Sequence, residues 1–356
     1  MPLLTGFVAT PLPYQLEQAD MLSWIADAHA DAASVTLEER ARLHRLINRV
    51  GCPPSAIARR GVAVDYAVPW SEHVLRDAGT GARTRLFGDV VDRYFVEAYG
   101  DAIEHPDDIF HVTCTGYLSP SGAQRIVAAK QWPTRVTHAY QMGCYAAVPA
   151  VRLALGALAT GSARADVAHT ELCSLHFSPG DFAAEQLVVH SLFADGLIRY
   201  SAVHDDHAPG LRVRAIHELV VPDSENAMSW IVADAGMKMT LARDVPDRIA
   251  SALRGFVLEL FKRGGLSLGA LPDSIVAVHP GGPRIIDRVR DILELDDAQV
   301  QVSRDVLRDH GNMSSATLPH IWMRIAADRS IRPGTVVPSL AFGPGLTVCG
   351  VLLEKQ

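Results

Sequence analysis

QMGCYAAVPAVRLALGALATG, residues 141–161, decides how the rest of the chain is read. After Cys144 it is apolar almost all round, with Arg152 the main exception. A helix without a polar face is buried on most sides. Pro149 lies early enough for a first turn, where a missing N–H matters least. A buried helix needs layers around it, and the neighbouring sequence supplies them. Residues 109–114, IFHVTC, read as a short buried strand, 123–130 as a helix, and Val136–Tyr140 leads into the turn before Cys144. Downstream, VAHTELCSLHF (167–177) is strand-like. LVVHSLFADGLIRYSAV (187–203) is an apolar segment ending in a turn and a strand.

The polar loop HDDHAPG (204–210) is the best boundary, dividing the chain into halves 1–205 and 206–356. LRVRAIHELVV (211–221) opens the second half as a strand, and a helix is expected over 245–263, beginning near Pro246. SIVAVHP (274–280) is a β-rich run ending at a glycine turn, with a helix at 283–293 after it. GNMSSATLPHIWMRIAAD (311–328) reads as a turn opening a helix. VVPSLAFGPGLTVCGVLL (336–353) reads as two strands around Gly-Pro-Gly. Strands and helices alternate in both halves, which argues an α/β layered fold.

Composition agrees. The 356 residues are 48% hydrophobic and 21% charged, which excludes wholesale disorder. A net charge of −7 argues against a nucleic-acid footprint along the whole chain. The N-terminus has neither a basic region nor a long apolar core, so no signal peptide is expected. No apolar run reaches the roughly 18 residues of a membrane span. Five scattered cysteines without a CxxC pair suggest reduced thiols in a cytoplasmic protein, not a disulfide framework or zinc site. Their default role is that of small buried hydrophobes.

Three motif matches fail on context. Gly265-Leu266-Ser267-Leu268-Gly269 fits a serine-hydrolase elbow but lacks the strand before it and the helix after it. His204-Asp205-Asp206-His207 has metal-ligand chemistry but no third ligand nearby, and reads as a solvated turn. FGPG (342–345) precedes a strand, not a helix, so it makes a poor phosphate cradle. The helix TLEERARLHRLINRV (36–50) is amphipathic through Leu43, Leu46, Ile47 and Val50. Arg42, Arg45 and Arg49 share another face, either a solvated surface or a grip on a polyanion such as phosphate.

Cys144 differs from the other cysteines because it follows a glycine and precedes the buried helix, whose N–H groups would favour a thiolate. A nucleophilic cysteine needs a base and an assisting group. His279, where a strand ends in a glycine turn, and Asn312, in another glycine-flanked turn, supply them. Each also reads blandly, as a turn residue and a helix cap, and the residues alone leave both readings open. Two chemistries suit the set. Papain-like hydrolysis shares the chain order, but that family places its cysteine near the mature N-terminus in a different local context. In thioester condensation the cysteine carries an acyl group while His and Asn stabilise an enolate and oxyanion.

At these residues the sequence resembles the type III polyketide synthases of the chalcone synthase family, in the thiolase superfamily. The matching stretches are MGCYAA around Cys144, LFADG around Phe193, VPDSE at 221–225, RDVP at 243–246, HPGGP at 279–283, GNMSSA at 311–316 and FGPGLT at 342–347. They run in the family's order, from about residue 40 onward. The resemblance implies a thiolase-like αβαβα fold of two similar halves, and a homodimer. It implies that Cys144 carries the acyl chain from an acyl-CoA or acyl-carrier-protein starter, and that His279 and Asn312 promote decarboxylation of malonyl-CoA. Phe193 matches a gatekeeper, and Arg42, Arg45 and Arg49 match basic residues that hold CoA phosphates. No metal or redox cofactor is implied, CoA thioesters being the substrates; neither nucleic acid nor membrane is an expected partner.

Some positions depart from the plant pattern. Met239 stands for a second gatekeeper phenylalanine, Cys173 and His176 for two cavity threonines, and Trp230 for a glycine, with Ser314 also in the pocket. TCTGYLSPSGA (113–123) differs from the plant loop that reaches the partner. A bacterial-type enzyme making pyrones or resorcinols fits better than one making chalcone. Bulky Trp230 and His176 are expected either to limit the number of condensations or to redirect the pocket toward an alkyl tail. The alternatives are a single-condensation β-ketoacyl synthase using a carrier-protein thioester and, more remotely, a cysteine hydrolase or a non-catalytic scaffold.

Overall fold

The computed structural model describes residues 1–100, 104–205, 207–242 and 244–356. Its first strands are β1 (Leu3–Thr10), β2 (Tyr14–Glu17), β3 (Arg59–Val62), β4 (Asp108–Thr113), β5 (Arg135–Tyr140), β6 (Arg164–Leu172) and β7 (Asp195–Val203). Next come β8 (Leu211–Val220), β9 (Met228–Ala233), β10 (Gly236–Leu241), β11 (Ala277–Val278), β12 (Val336–Gly343) and β13 (Thr347–Lys355). The earlier helices are α1 (Gln18–Ala33), α2 (Leu37–Val50), α3 (Thr80–Ala98), α4 (Gly122–Lys130), α5 (Ala147–Ala159) and α6 (Ala184–Leu192). The later ones are α7 (Val245–Arg263), α8 (Pro283–Leu293), α9 (Asp297–His310) and α10 (Thr317–Ala327).

Nine strands join in the order β11-β12-β13-β8-β1-β7-β6-β4-β5. The strands from each side of residue 205 occupy one end of this order. The join is short: β1 pairs with β7 along most of its length but meets β8 only through Leu3–Arg212 and Leu4–Leu211. β4 runs parallel to β5 and β6, whereas β7 is antiparallel to β6.

The helix at 147–159 is as buried as its composition requires. Its Ala147, Val148, Ala150, Val151, Ala154 and Leu158 share one core with Leu318, Ile321, Trp322 and Ile325 of α10 and with strands from both ends of the sheet. α1 and α3 cover one outer side, while α7, α8 and α9 cover the other. The result is the αβαβα layering. Among the described residues no helix is long and apolar enough to cross a membrane.

Two expected strands are shorter than their sequence suggested. The run at 167–177 leaves the sheet after Leu172 and forms a 3₁₀ turn over Cys173–His176. The Ser174 N–H and hydroxyl both donate to the buried Asp195 carboxylate (2.7 and 2.6 Å), which draws the backbone away from the ladder. The run at 274–280 pairs only at Ala277–Val278, because the Val276 N–H turns to the Gln299 carbonyl and the Val278 N–H to Ser303 Oγ.

Trp322 is fully buried and its indole N–H donates to Ser339 Oγ at 2.9 Å. Trp322→Ala is expected to destabilise the fold by about 3–5 kcal/mol, through lost burial and the cavity left behind. A urea titration followed by circular dichroism measures this; an unchanged midpoint would contradict the central role given to α10.

Candidate active site

β5 ends at Tyr140, and the chain then turns sharply. Gln141 and Gly143 both take positive φ (63° and 79°). A Cβ on Gly143 would lie 2.7 Å from Pro344 Cδ, so glycine alone fits. This turn lifts Cys144 into the interior, one turn before α5 begins at Ala147. The expected thiolate bias is not the resting condition. Burial pushes the Cys144 thiol up to about 12, outweighing the lowering by Ser314 and the backbone. Ser314 Oγ lies 3.7 Å from Cys144 Sγ.

His279 follows β11. Its N–H donates to the Leu340 carbonyl at 2.8 Å, while both ring nitrogens are buried without a hydrogen-bond partner. Burial drives its pKa down to about 3, so the ring is neutral. Asn312 lies after Gly311, where a Cβ would meet Arg60 Cγ at 3.0 Å and Ala194 Cβ at 3.1 Å. Asn312 Oδ1 accepts the Ser314 N–H at 2.9 Å, which leaves the amide NH₂ available to donate. Asn312 is also bridged to Phe193: its N–H donates to the Leu192 carbonyl (3.0 Å), and its carbonyl accepts the Ala194 N–H (2.8 Å).

Cys144, His279, Asn312, Phe193 and Met239 all line one cavity of about 730 Å³. Beyond Phe193 and Met239 lies a second space of only about 10 Å³, bounded by Cys144, Cys173, Trp230 and Ser314, with Cys114 added. That is barely room for one water. A third cavity, about 150 Å³, lies past Trp230 and His176 and shares Cys173, Phe193 and Met239 with the second. The expected pocket residues are therefore together, and Trp230 stands between the inner spaces.

Residues 212–355 match the family described as chalcone and stilbene synthases, C-terminal domain. The 1,3,6,8-tetrahydroxynaphthalene synthase of Streptomyces coelicolor is 30% identical over 332 residues, covering 90% of this chain and 87% of that one. The chain belongs to the type III polyketide synthase family. A probable polyketide synthase 1 from Dictyostelium discoideum is 28% identical over 342 residues; the chain spans only 11% of its length. The fold is shared with the crystal structure of the C-terminal type III polyketide synthase domain of Steely1, a type I/III hybrid from Dictyostelium. There the TM-score is 0.86, with 24% identity and 99% of both chains covered. Members of this family are acyltransferase-type condensing enzymes.

Several residues of this synthase's site escaped the sequence reading. Glu171 is fully buried and accepts the Cys114 N–H (3.0 Å), the Thr115 hydroxyl (2.9 Å) and the Ser315 hydroxyl. Cys114, expected to be plain packing, has its Sγ 2.9 Å from Ser314 Oγ and so joins Glu171 to the pocket of Cys144. Cys52 borders the large cavity, whereas Cys349 stays in the core. The three arginines also separate. Arg42 is paired with Glu38, and of the three only Arg49 borders the cavity. Ser267 lies in an exposed loop after α7. Asp205 caps the His207 and Ala208 N–H groups, Asp206 and Arg243 fall outside the described residues, and the described residues hold no metal-binding cluster.

His176 fastens the inner wall. Its Nε2–H donates to the Thr115 carbonyl (2.8 Å), and Nδ1 accepts the Met237 N–H (3.1 Å). Burial lowers its pKa to about 4 from an ordinary 6.5. His111, His169 and His190 are held near 3 for the same reason. The unfolded chain takes up these protons first as pH falls. Their contribution to stability is complete above about pH 6.5 and is lost on acidification through about 4 for His176 and about 3 for the other three. Thermal midpoints should therefore drop steeply between pH 6.5 and 4, with a shallower drop in His176→Gln. A flat midpoint across that window would contradict neutral buried histidines.

Proposed function

We propose that this synthase condenses an acyl thioester starter with malonyl-CoA on Cys144 and releases a small polyketide such as a pyrone or resorcinol. One observation carries the reading: a thiol, a neutral imidazole with both ring nitrogens unpartnered and an amide with free N–H donors line one largely apolar cavity. Burial opposes a lone thiolate and a lone imidazolium, but charges created together as a pair offset each other. His279 takes the Cys144 proton as sulfur attacks the starter carbonyl, then returns it to the departing CoA thiol. Malonyl-CoA next loses CO₂. Its enolate oxygen is met by N–H donors of Asn312 and His279, which work strongly where water is excluded. The enolate carbon attacks the acyl-Cys144 carbonyl, the C–C bond forms, and the C–S bond breaks with sulfur leaving as a thiolate, which takes up a proton from solvent to restore the resting thiol. Decarboxylation supplies the carbanion, so the step needs neither redox cofactor nor metal.

Phe193 and Met239 border both the outer and the inner cavity, which suits a gate between thioester entry and chain growth. The halves 1–205 and 206–356 contribute Cys144 and the His279–Asn312 pair respectively, in a cytoplasmic homodimer. Starters are acyl-CoA or carrier-protein thioesters. Intact-protein mass after adding an acyl-CoA starter is expected to show one adduct, absent in Cys144→Ala. An adduct that survives that substitution would reject Cys144 as the carrier.

The inner space of about 10 Å³ favours few condensations, with Trp230 as the stop. Trp230→Gly should open the way to the 150 Å³ cavity and shift products toward longer chains in mass-spectrometric profiles with malonyl-CoA. Efficient extension of long-chain starters through three or more condensations by the unaltered protein would sink this reading. One added ketide unit without cyclisation would instead favour a single-condensation β-ketoacyl synthase.

A further inference from the structure

The large cavity is bordered by two arginines from separate elements, and only one of them was among the expected phosphate ligands. Arg49 lies in the last turn of α2, within the wall formed by residues 48–53. Arg284 is the second residue of α8, in the wall formed by residues 281–285. Neither guanidinium has an ion pair or hydrogen bond among the described residues. Of the other arginines of the same helices only Arg45, which does not border the cavity, is likewise unpaired among the described residues. Arg40 pairs with Asp27 and Asp31, Arg42 with Glu38, Arg288 with Asp247, and Arg290 with Asp291 and Asp297. In a chain of net charge −7, carboxylates neutralise these four neighbours, and both arginines that border the cavity are left bare.

We propose that Arg284 acts with Arg49 as a two-element grip on the phosphate end of a phosphopantetheine thioester, with Arg42 outside it. The inference rests on the condensing function proposed for this cavity. A guanidinium fork matches phosphate oxygens in geometry as well as charge. The positive end of α8 adds to the field at Arg284. From this grip the cavity continues to Cys144, so an uncharged pantetheine arm lies along apolar Val188, Leu192 and Ile249 while the phosphate stays at the arginines. CoA and an acyl carrier protein present the same phosphopantetheine chemistry.

Steady-state kinetics of Arg284→Ala, Arg49→Ala and Arg288→Ala test the proposal, the last being the paired arginine one turn further along α8. Arg284→Ala and Arg49→Ala should each raise KM for malonyl-CoA about tenfold, the scale of one charged contact, with kcat changed less than about twofold. Arg288→Ala should not reproduce the KM rise. Malonyl-N-acetylcysteamine, which has no phosphate, should show the same KM in all variants. Calorimetric titration with free CoA should show the same weakening without turnover. Repeating the series with a malonyl carrier protein separates the sources: a KM rise confined to one donor names that donor. If Arg284→Ala binds CoA and uses both donors as the unaltered protein does, the grip is overturned. If the unaltered protein instead forms no acyl-Cys144 adduct and consumes no malonyl thioester, the condensing function fails, and CoA titration still decides the arginine.

Discussion

A two-bond backbone bridge between Phe193 and Asn312 ties the two halves of the chain together at the site. Phe193 ends α6 in the first half of the chain, and Asn312 follows α9 in the second. The bridge joins residues far apart in sequence by backbone groups alone, so it fixes position without constraining side-chain identity. It closes only because Gly311 lets Arg60 and Ala194 approach. Arg60 is itself buried and donates to the His190 and Phe193 carbonyls at 2.9 and 2.7 Å. Phe193 and Asn312 are thus set by one joint, and β1 makes the second stitch by lying between β7 and β8.

Burial governs the chemistry that this joint positions. A neutral histidine and a protonated cysteine are what a dry pocket favours at rest. The same dryness strengthens every N–H aimed at an oxyanion, because few competing waters screen it. Glu171 shows the cost and its remedy. Burial raises its carboxyl above the usual range, and donors from Cys114, Thr115 and Ser315 pull the other way. Those donors lie next to the pocket of Cys144, so satisfying one buried carboxylate also orders the loop at 113–115 and the turn at 314–316.

Much of this was legible in the sequence where the signal is local. Proline and turn signals placed the helices at about 245–263 and 283–293, where they lie, and the apolar run after Cys144 gave the central helix. Glycine turns pointed to His279 and Asn312. What escaped has its cause elsewhere in the chain. LLTGFVAT reads as nothing special, yet it is the strand between the halves, because its partners begin nearly 200 residues later. Cys114 and Glu171 become a pair only when β4 and β6 lie side by side. The early end of β6 depends on Asp195, and the role of Arg42 on Glu38. The thiolate expected from the helix start is opposed by complete burial, which the sequence around Cys144 does not reveal.

Trp230 brings these levels together. Its indole N–H donates to the Cys114 carbonyl, its own carbonyl accepts from Gln141 Nε2 at 3.1 Å, and His176 meets it edge-on at 5.6 Å. An indole held by a hydrogen bond and an edge-on ring, on a backbone tied by a third contact, is a wall, not a door. Each hold comes from a segment that also shapes the reacting centre: Cys114 beside Ser314, Gln141 in the turn that lifts Cys144, and His176 in the 3₁₀ turn that follows Glu171. Removing the indole, as in Trp230→Gly, leaves in place the backbone carbonyl that Gln141 holds, so the wall can go while this tie to the turn before Cys144 stays.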